Sequence, residues 1–128
     1  MENENTLYPI VHTDRFAQCR AFYRDRMAVE LTADIEGRYF SVRFGGPEGP
    51  VLGFTPPNAM DGQAEAFRGG LTVSIPAGDA DRAEAELRRK GVEIASPSSD
   101  KPWGWRSFLV RDPAGVELDF FHVLPQSE

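Results

Sequence analysis

Hydrophobic and polar positions follow the same order in the two halves of the chain. In the first half, a short apolar segment precedes apolar residues at helical spacing, and three segments of alternating apolar and polar residues follow. In the second half, a strand-like segment precedes a helix that begins at an aspartate and stops at Gly91, and three more strands follow. The predicted strands are 7–13, 29–35, 39–45 and 51–56, then 71–76, 92–96, 105–111 and 116–122.

Short stretches of sequence also repeat between the halves. Val29–Leu31 follows the first helix as Val92–Ile94 follows the second, and Phe40–Arg43 corresponds to Phe108–Arg111. Repetition on this scale outweighs the assignment of any single element. We therefore predict an α+β fold in which one domain contains two βαβββ modules. The first module spans 7–57, a linker spans 58–69 and the second module spans 70–124.

The two faces of each predicted sheet differ in character, because side chains alternate along a strand. One face is strongly apolar, and we expect the helices to pack on it. It carries Phe40, Val42, Phe44, Leu52 and Phe54 in the first module and Phe108, Val110, Leu118 and Phe120 in the second. The opposite face mixes aromatic and polar side chains, among them Tyr39, Arg43, Trp105, Asp119 and Phe121. That mixture is typical of the wall of a ligand cavity.

The net charge narrows the kinds of molecule that the protein could bind, and the cysteine content and apolar runs bear on its localisation. Acidic residues outnumber basic residues by 20 to 14, a net charge of −6, which disfavours nucleic acid and would suit a cationic ligand. No apolar run is long enough to span a bilayer, and the polar first six residues lack the core of a signal peptide. Cys19 is the only cysteine, so no internal disulfide can form. We expect a cytoplasmic protein that binds neither nucleic acid nor membrane.

Two motifs and the order of the elements resemble those of a known family. The letters RAFY at Arg20–Tyr23 and the segment from Pro102 to Gly115, which contains PWG and DPAG, are similar to the vicinal oxygen chelate superfamily. That superfamily includes glyoxalase I, extradiol dioxygenases, fosfomycin-resistance enzymes and bleomycin-resistance proteins. The resemblance covers residues 7–124, and the PWG points to the bleomycin-resistance branch. It implies a curled mixed sheet around a cup and, as in the antibiotic-binding members, a homodimer with clefts between the subunits.

The catalytic members of that family hold a divalent metal with ligands on the first and last strands of each module. The four ligand positions fall on Leu7 or Tyr8, on Gly53, on Gly70 or Leu71, and on Asp119. Of these residues only Asp119 can bind a metal of this class, which needs several His, Glu or Asp ligands that converge on one point. The resemblance therefore implies no metal cofactor and no catalytic residue.

The histidines and the cysteine, which could also bind a metal, are not expected to form such a metal site. His122 ends the last strand, and by parity its side chain points away from Asp119. A lone histidine at a strand end is more often solvated or hydrogen-bonded than a ligand, so His12 is kept only as a candidate contact of a small molecule. Cys19 lies in the apolar stripe of the first helix, where a buried structural thiol is expected rather than a nucleophile.

Two tryptophans flank Gly104 at the entrance to a strand, and they either stack on a ligand or pack against the neighbouring module. In the related resistance proteins this region lines the drug cleft. Asp119 then serves as a counter-ion or hydrogen-bond acceptor for the ligand, or it pairs with Arg43 or Arg106. The candidate ligand-binding residues are Trp103, Trp105, Tyr39, Arg43, Asp119, Phe121 and His12.

These features favour a metal-free protein that sequesters a bulky aromatic natural product or antibiotic, in the manner of bleomycin-resistance proteins. Function would then come from binding alone, with an affinity of about −8 kcal/mol for a micromolar dissociation constant. One alternative is a metal-dependent lyase or oxidoreductase of the glyoxalase or dioxygenase type with a displaced metal site. Another is a subunit or sensor whose cup is filled and which acts through protein contacts.

Overall fold

The computed structural model describes residues 6–57, 59 and 65–126. The predicted linker at 58–69 lies partly outside the described residues, as do the first five residues of the polar N-terminal segment. In the described part of the chain, no helix has the length and apolar character needed to cross a membrane.

Each half of the chain forms one βαβββ module, as the repeat predicts. The first module contains β1 (Ile10–His12), α1 (Phe16–Ala21) with one turn of π-helix (Phe22–Arg26), β2 (Glu30–Ile35), β3 (Tyr39–Arg43) and β4 (Val51–Thr55). The second contains β5 (Thr72–Pro76), α2 (Ala80–Arg89), β6 (Ser96–Asp100), β7 (Trp105–Arg111) and β8 (Glu117–Val123). The strand orders are β1-β4-β3-β2 and β5-β8-β7-β6, with the first strand of each module parallel to the last and the other pairs antiparallel. The predicted α+β class with repeated modules is confirmed.

Two strands differ most from the prediction: β1 spans only Ile10–His12 of the predicted 7–13, and β6 is displaced along the chain. The segment 92–96 was expected to pair, but β6 begins only at Ser96 and continues through the polar residues to Asp100. The turn before β7 sets this register: the Lys101 N–H donates to the Trp105 carbonyl, and Asp100 lies opposite Arg106. The apolar character of Val92 reflects burial in the core ahead of the strand and not pairing in the sheet.

The apolar faces of both sheets form the core, as the alternation predicts. The Phe40 and Phe54 rings lie opposite each other on β3 and β4 and stack with centroids 4.8 Å apart. Phe108 and Phe120 repeat this arrangement on β7 and β8 at 5.1 Å. The first helical segment buries Cys19 and Tyr23, and Met27, directly after its last turn, is buried too. The repeat therefore extends from the order of the elements to the packing of paired aromatic rings.

A buried hydrogen bond joins the two modules. The Tyr23 hydroxyl, in the π-helical turn, donates to Oδ2 of Asp112 at 2.7 Å. Oδ1 of Asp112 accepts the N–H groups of Ala114 and Val116, each at 2.9 Å, and so closes the turn between β7 and β8. Burial raises the pKa of the Asp112 carboxyl and of the Tyr23 hydroxyl. The residues in contact come from the RAFY and DPAG motifs, so these motifs serve the joint between the modules.

Candidate functional site

Three aromatic rings form a platform at the end of the β7–β8 hairpin. The Trp105 ring stacks on Phe121, with centroids 3.8 Å apart and planes 11° apart. Trp103 meets Trp105 edge-on at 6.5 Å, and 62% of Trp103 is exposed. Gly104, at a φ of +91°, turns the chain between the tryptophans, and its carbonyl accepts the Leu124 N–H at 2.8 Å. The hairpin thus holds an exposed indole beside a stacked pair. We call Trp103, Trp105 and Phe121 the aromatic platform.

An open groove of about 620 Å³ runs beside the aromatic platform. Its lining is Trp103, Gly104, Trp105, Val123, Leu124, Pro125 and Gln126, none of which carries a charged side chain. Neither Asp119 nor Tyr39 belongs to this lining, so the groove gathers only part of the predicted ligand-binding set. Val123 and Leu124 were not among the predicted residues. Parity could have found Val123, because it continues the face of β8 that bears Asp119 and Phe121.

Asp119 lies on the inner face of β8 with 8% of its surface exposed. Its Oδ2 accepts a hydrogen bond from the Ser74 hydroxyl at 2.9 Å. The alternative in which Asp119 pairs with Arg43 or Arg106 is wrong for the described structure. Arg106 points to the other face of β7 and binds Asp81 and Asp100, whereas the Arg43 guanidinium donates to the Gly49 carbonyl at 2.9 Å. Asp119 is therefore a buried carboxylate that accepts a hydrogen bond from a neutral hydroxyl and forms no ion pair with the described residues.

The inner face of the first module is closed by its own side chains. The Tyr39 ring lies over Gly53, so close that a Cβ on residue 53 would fall 2.5 Å from the tyrosine oxygen. Ser41 shares a hydrogen bond with Thr32 at 2.6 Å, and the Thr55 hydroxyl donates to the Arg38 carbonyl at 2.7 Å. Tyr39 thus fills the space that a side chain at the second ligand position would need.

The two histidines and the cysteine have separate surroundings. His122 Nδ1 accepts the Ala80 N–H at 2.8 Å at the start of α2, on the side of the sheet away from Asp119, as parity predicts. His12 lies on β1 opposite Thr55, and its buried Nδ1 has no hydrogen-bond partner among the described residues. Cys19 is fully buried, and burial raises the pKa of its thiol to about 12, which leaves it protonated and unreactive.

The residues at the family's ligand positions do not fit a catalytic metal. Gly53 and Gly70 offer no side-chain donor, and Tyr39 occupies the space above Gly53. Throughout residues 6–57, 59 and 65–126, no three His, Cys, Asp or Glu side chains gather closely enough to hold a metal ion. Asp119 alone cannot supply the three or four ligands that such sites use.

Comparison with known proteins places the chain in a family. The model of the Glyoxalase/Bleomycin resistance protein/Dioxygenase superfamily matches residues 8–120. No curated protein matches the sequence significantly.

Solved structures share the fold over nearly the full chain. A conserved domain protein is 24% identical, with a TM-score of 0.72 and coverage of 95% of this chain and 99% of its own. A glyoxalase/bleomycin resistance protein/dioxygenase from Nocardioides is 23% identical, with a TM-score of 0.69 and coverage of 100% and 89%. Lactoylglutathione lyase from Agrobacterium tumefaciens is 17% identical, with a TM-score of 0.69 and coverage of 94% of each chain. The chain belongs to the glyoxalase/bleomycin resistance protein/dioxygenase superfamily.

Proposed function

We propose that this protein binds a planar aromatic small molecule on the aromatic platform, and that it acts by sequestering the compound without catalysis. The observation that carries the proposal is the exposed Trp103 indole, held by a closed hairpin over an uncharged groove. A large exposed ring beside a concave surface of mixed apolar and uncharged polar groups is typical of a binding site. The missing metal donors and the tryptophan-bearing turn support a role like that of the bleomycin-resistance branch.

The chemistry of the groove defines the part of the ligand that it accepts. Stacking on an indole contributes about 0.5–1.5 kcal/mol beyond the burial of area, and the aliphatic wall of Val123 and Leu124 adds apolar contact. Because the lining is uncharged, we assign the groove to a neutral ring of the ligand. A cationic group would be recognised separately at Asp119, and contacts with Tyr39, Arg43 and His12 remain predictions.

The alternative of a metal-dependent lyase or oxidoreductase has less support. It would need ligands that the described residues do not bring together. The likeness to a lactoylglutathione lyase at 17% identity concerns the fold. The closed inner face at Tyr39 and Gly53 also leaves no room for a ligating side chain at that position.

Replacing Trp103 and Trp105 with alanine should weaken binding of aromatic antibiotics more than tenfold. The double variant removes one exposed ring and one half of the stack with Phe121. Isothermal titration calorimetry with bleomycin and a panel of other planar antibiotics measures the affinity, and thermal melting confirms the fold. Leu7→Ala is the control, because Leu7 is 92% exposed and does not line the groove. Equal affinities in a folded double variant, or no binding by the wild type across the panel, would reject the proposal.

We also propose that the protein is a homodimer. Leu7 is 92% exposed and Ile35 is 55% exposed, and both lie outside the groove at the aromatic platform. Within the described chain, four strands are sheet edges that pair on one side only, namely β1, β2, β5 and β6, and natural proteins usually cover or protect such edges. A second copy of the chain would cover exposed apolar side chains and unpaired strand edges. Sedimentation equilibrium at micromolar concentration should give twice the chain mass of 14.2 kDa, and a monomeric mass would contradict it.

A further inference from the structure

We propose a second binding site in which Arg43 holds an oxyanion, a carboxylate or a phosphate group, in the pocket beside the β3–β4 loop. The pocket has a volume of about 400 Å³ and is separate from the groove at the aromatic platform. Its lining is Thr6, Tyr8, Arg43, Pro47, Glu48, Gly49, Pro50 and Val51. The proposal does not depend on the aromatic ligand, since the two linings share no residue.

Among the half-buried arginines of the described chain, Arg43 differs from the others in having no carboxylate partner. Arg20 pairs with Asp34, and Arg106 pairs with Asp81 and Asp100. Arg43 forms no ion pair with the described residues, and its guanidinium donates a hydrogen bond to the Gly49 carbonyl. Partial burial removes some of the water around the guanidinium, and no carboxylate among the described residues replaces that water. An anionic ligand would supply the missing charge.

The loop holds the guanidinium in place before any ligand arrives. Phe44 N–H donates to the Pro50 carbonyl at 3.1 Å, and Gly49 N–H donates to the Gly46 carbonyl at 3.0 Å. Residue 49 must be glycine, because a Cβ there would lie 1.5 Å from the Phe44 carbonyl oxygen. The tightly folded loop positions the Gly49 carbonyl, which accepts a hydrogen bond from one terminal nitrogen of Arg43 at 2.9 Å. A guanidinium has five N–H donors in a planar fork, a geometry that matches carboxylate and phosphate oxygens.

Two carboxylates near Arg43 oppose an anion. Glu30 lies opposite Arg43 on β2, and Glu48 lines the pocket, and neither forms an ion pair with the guanidinium within 4.0 Å. Both are exposed, so solvent screens their repulsion more than it screens a contact inside the pocket. Glu48 lines the pocket and still repels an anion there, so removing its charge should strengthen the binding of an anion at Arg43.

The experiment titrates the full chain with inorganic phosphate and, separately, with benzoate at constant ionic strength set by chloride. We expect saturable binding that Arg43→Gln weakens at least tenfold and that Glu48→Gln strengthens. Arg38→Gln is the matched control: it removes the same charge from an exposed arginine outside the pocket and should change nothing. The tighter of the two probes identifies the class of oxyanion.

Amide chemical shifts in the wild type provide a readout that needs no variant. Binding at Arg43 should shift the amides of Gly45, Gly46 and Gly49, and leave that of Gly104 unchanged. If Arg43→Gln does not fold, Arg43→Lys keeps the charge but loses the planar fork and should still weaken binding. The proposal fails if neither probe binds, if Arg38→Gln and the Arg43 variants behave alike, or if the shifts lie elsewhere.

Discussion

Replacing Asp112 with alanine should lower the free energy of unfolding by about 3 kcal/mol or more, since two buried donors and one partly buried donor lose their acceptor at about 1–3 kcal/mol each. The donors are the Tyr23 hydroxyl and the N–H groups of Ala114 and Val116. Urea unfolding followed by circular dichroism measures the loss. Asp112→Asn keeps an acceptor for the two N–H groups and should cost much less. A loss below about 1 kcal/mol for alanine would show that water replaces the carboxylate.

The same asparagine variant tests the charge state of this carboxyl. Burial raises the pKa of Asp112 above its ordinary value of 3.8, although the hydrogen bonds from Tyr23 and the turn act in the opposite direction. A group whose pKa is raised by folding contributes stability that is complete below the unfolded pKa and is lost as the pH rises through the folded pKa. The wild type should therefore lose stability relative to Asp112→Asn as the pH rises from about 3.8. A constant difference between them would contradict this.

Phe54→Ala should cost about 3–5 kcal/mol, the usual range for removing a fully buried aromatic ring. Phe54 has no exposed surface and stacks on Phe40. Phe120→Ala is the matched change in the second module, and its cost should be somewhat smaller because Phe120 is 9% exposed. Arg38→Ala, at an exposed position outside the core, should change stability little.

Both phenylalanine variants should unfold in a single transition, because the core and the contact between Tyr23 and Asp112 connect the modules. Denaturant curves recorded by far-ultraviolet circular dichroism and by tryptophan fluorescence separate the possibilities, since both tryptophans lie in the second module. Coincident curves are expected. A fluorescence transition that remains at the wild-type midpoint in Phe54→Ala would mean that the modules unfold independently.

The fold could be predicted from the sequence wherever the alternating apolar side chains of a strand are also the buried ones. β7 has the predicted bounds, and the aromatic residues expected beneath the helices are buried. The position of β6 could not be obtained in this way. Its polar residues pair because the turn at Lys101–Gly104 fixes the register, while the apolar Val92 contributes to the core outside the sheet. Turn geometry outweighed hydrophobicity in that segment.

The candidate site was less accessible from sequence than the fold. Alternation assigned Arg43 and Asp119 to inner faces, but the face of a strand does not give the distance between side chains in different modules. The cover that Tyr39 forms over Gly53 depends on the register of β3 against β4, in which Ser41 lies opposite Gly53. The stack of Trp105 on Phe121 likewise joins diagonal neighbours across β7 and β8. These contacts depend on the register between neighbouring strands. The sequence of a single strand does not specify that register.

The packing of Tyr39 on Gly53 makes these two positions interdependent. A larger residue at 53 would collide with the tyrosine ring, so a metal-binding side chain there would require Tyr39 to leave its present place. A single substitution at 53 therefore cannot install a ligating side chain without also disturbing the tyrosine. Because the two residues are in contact, the effects of substitutions at 39 and 53 should be non-additive.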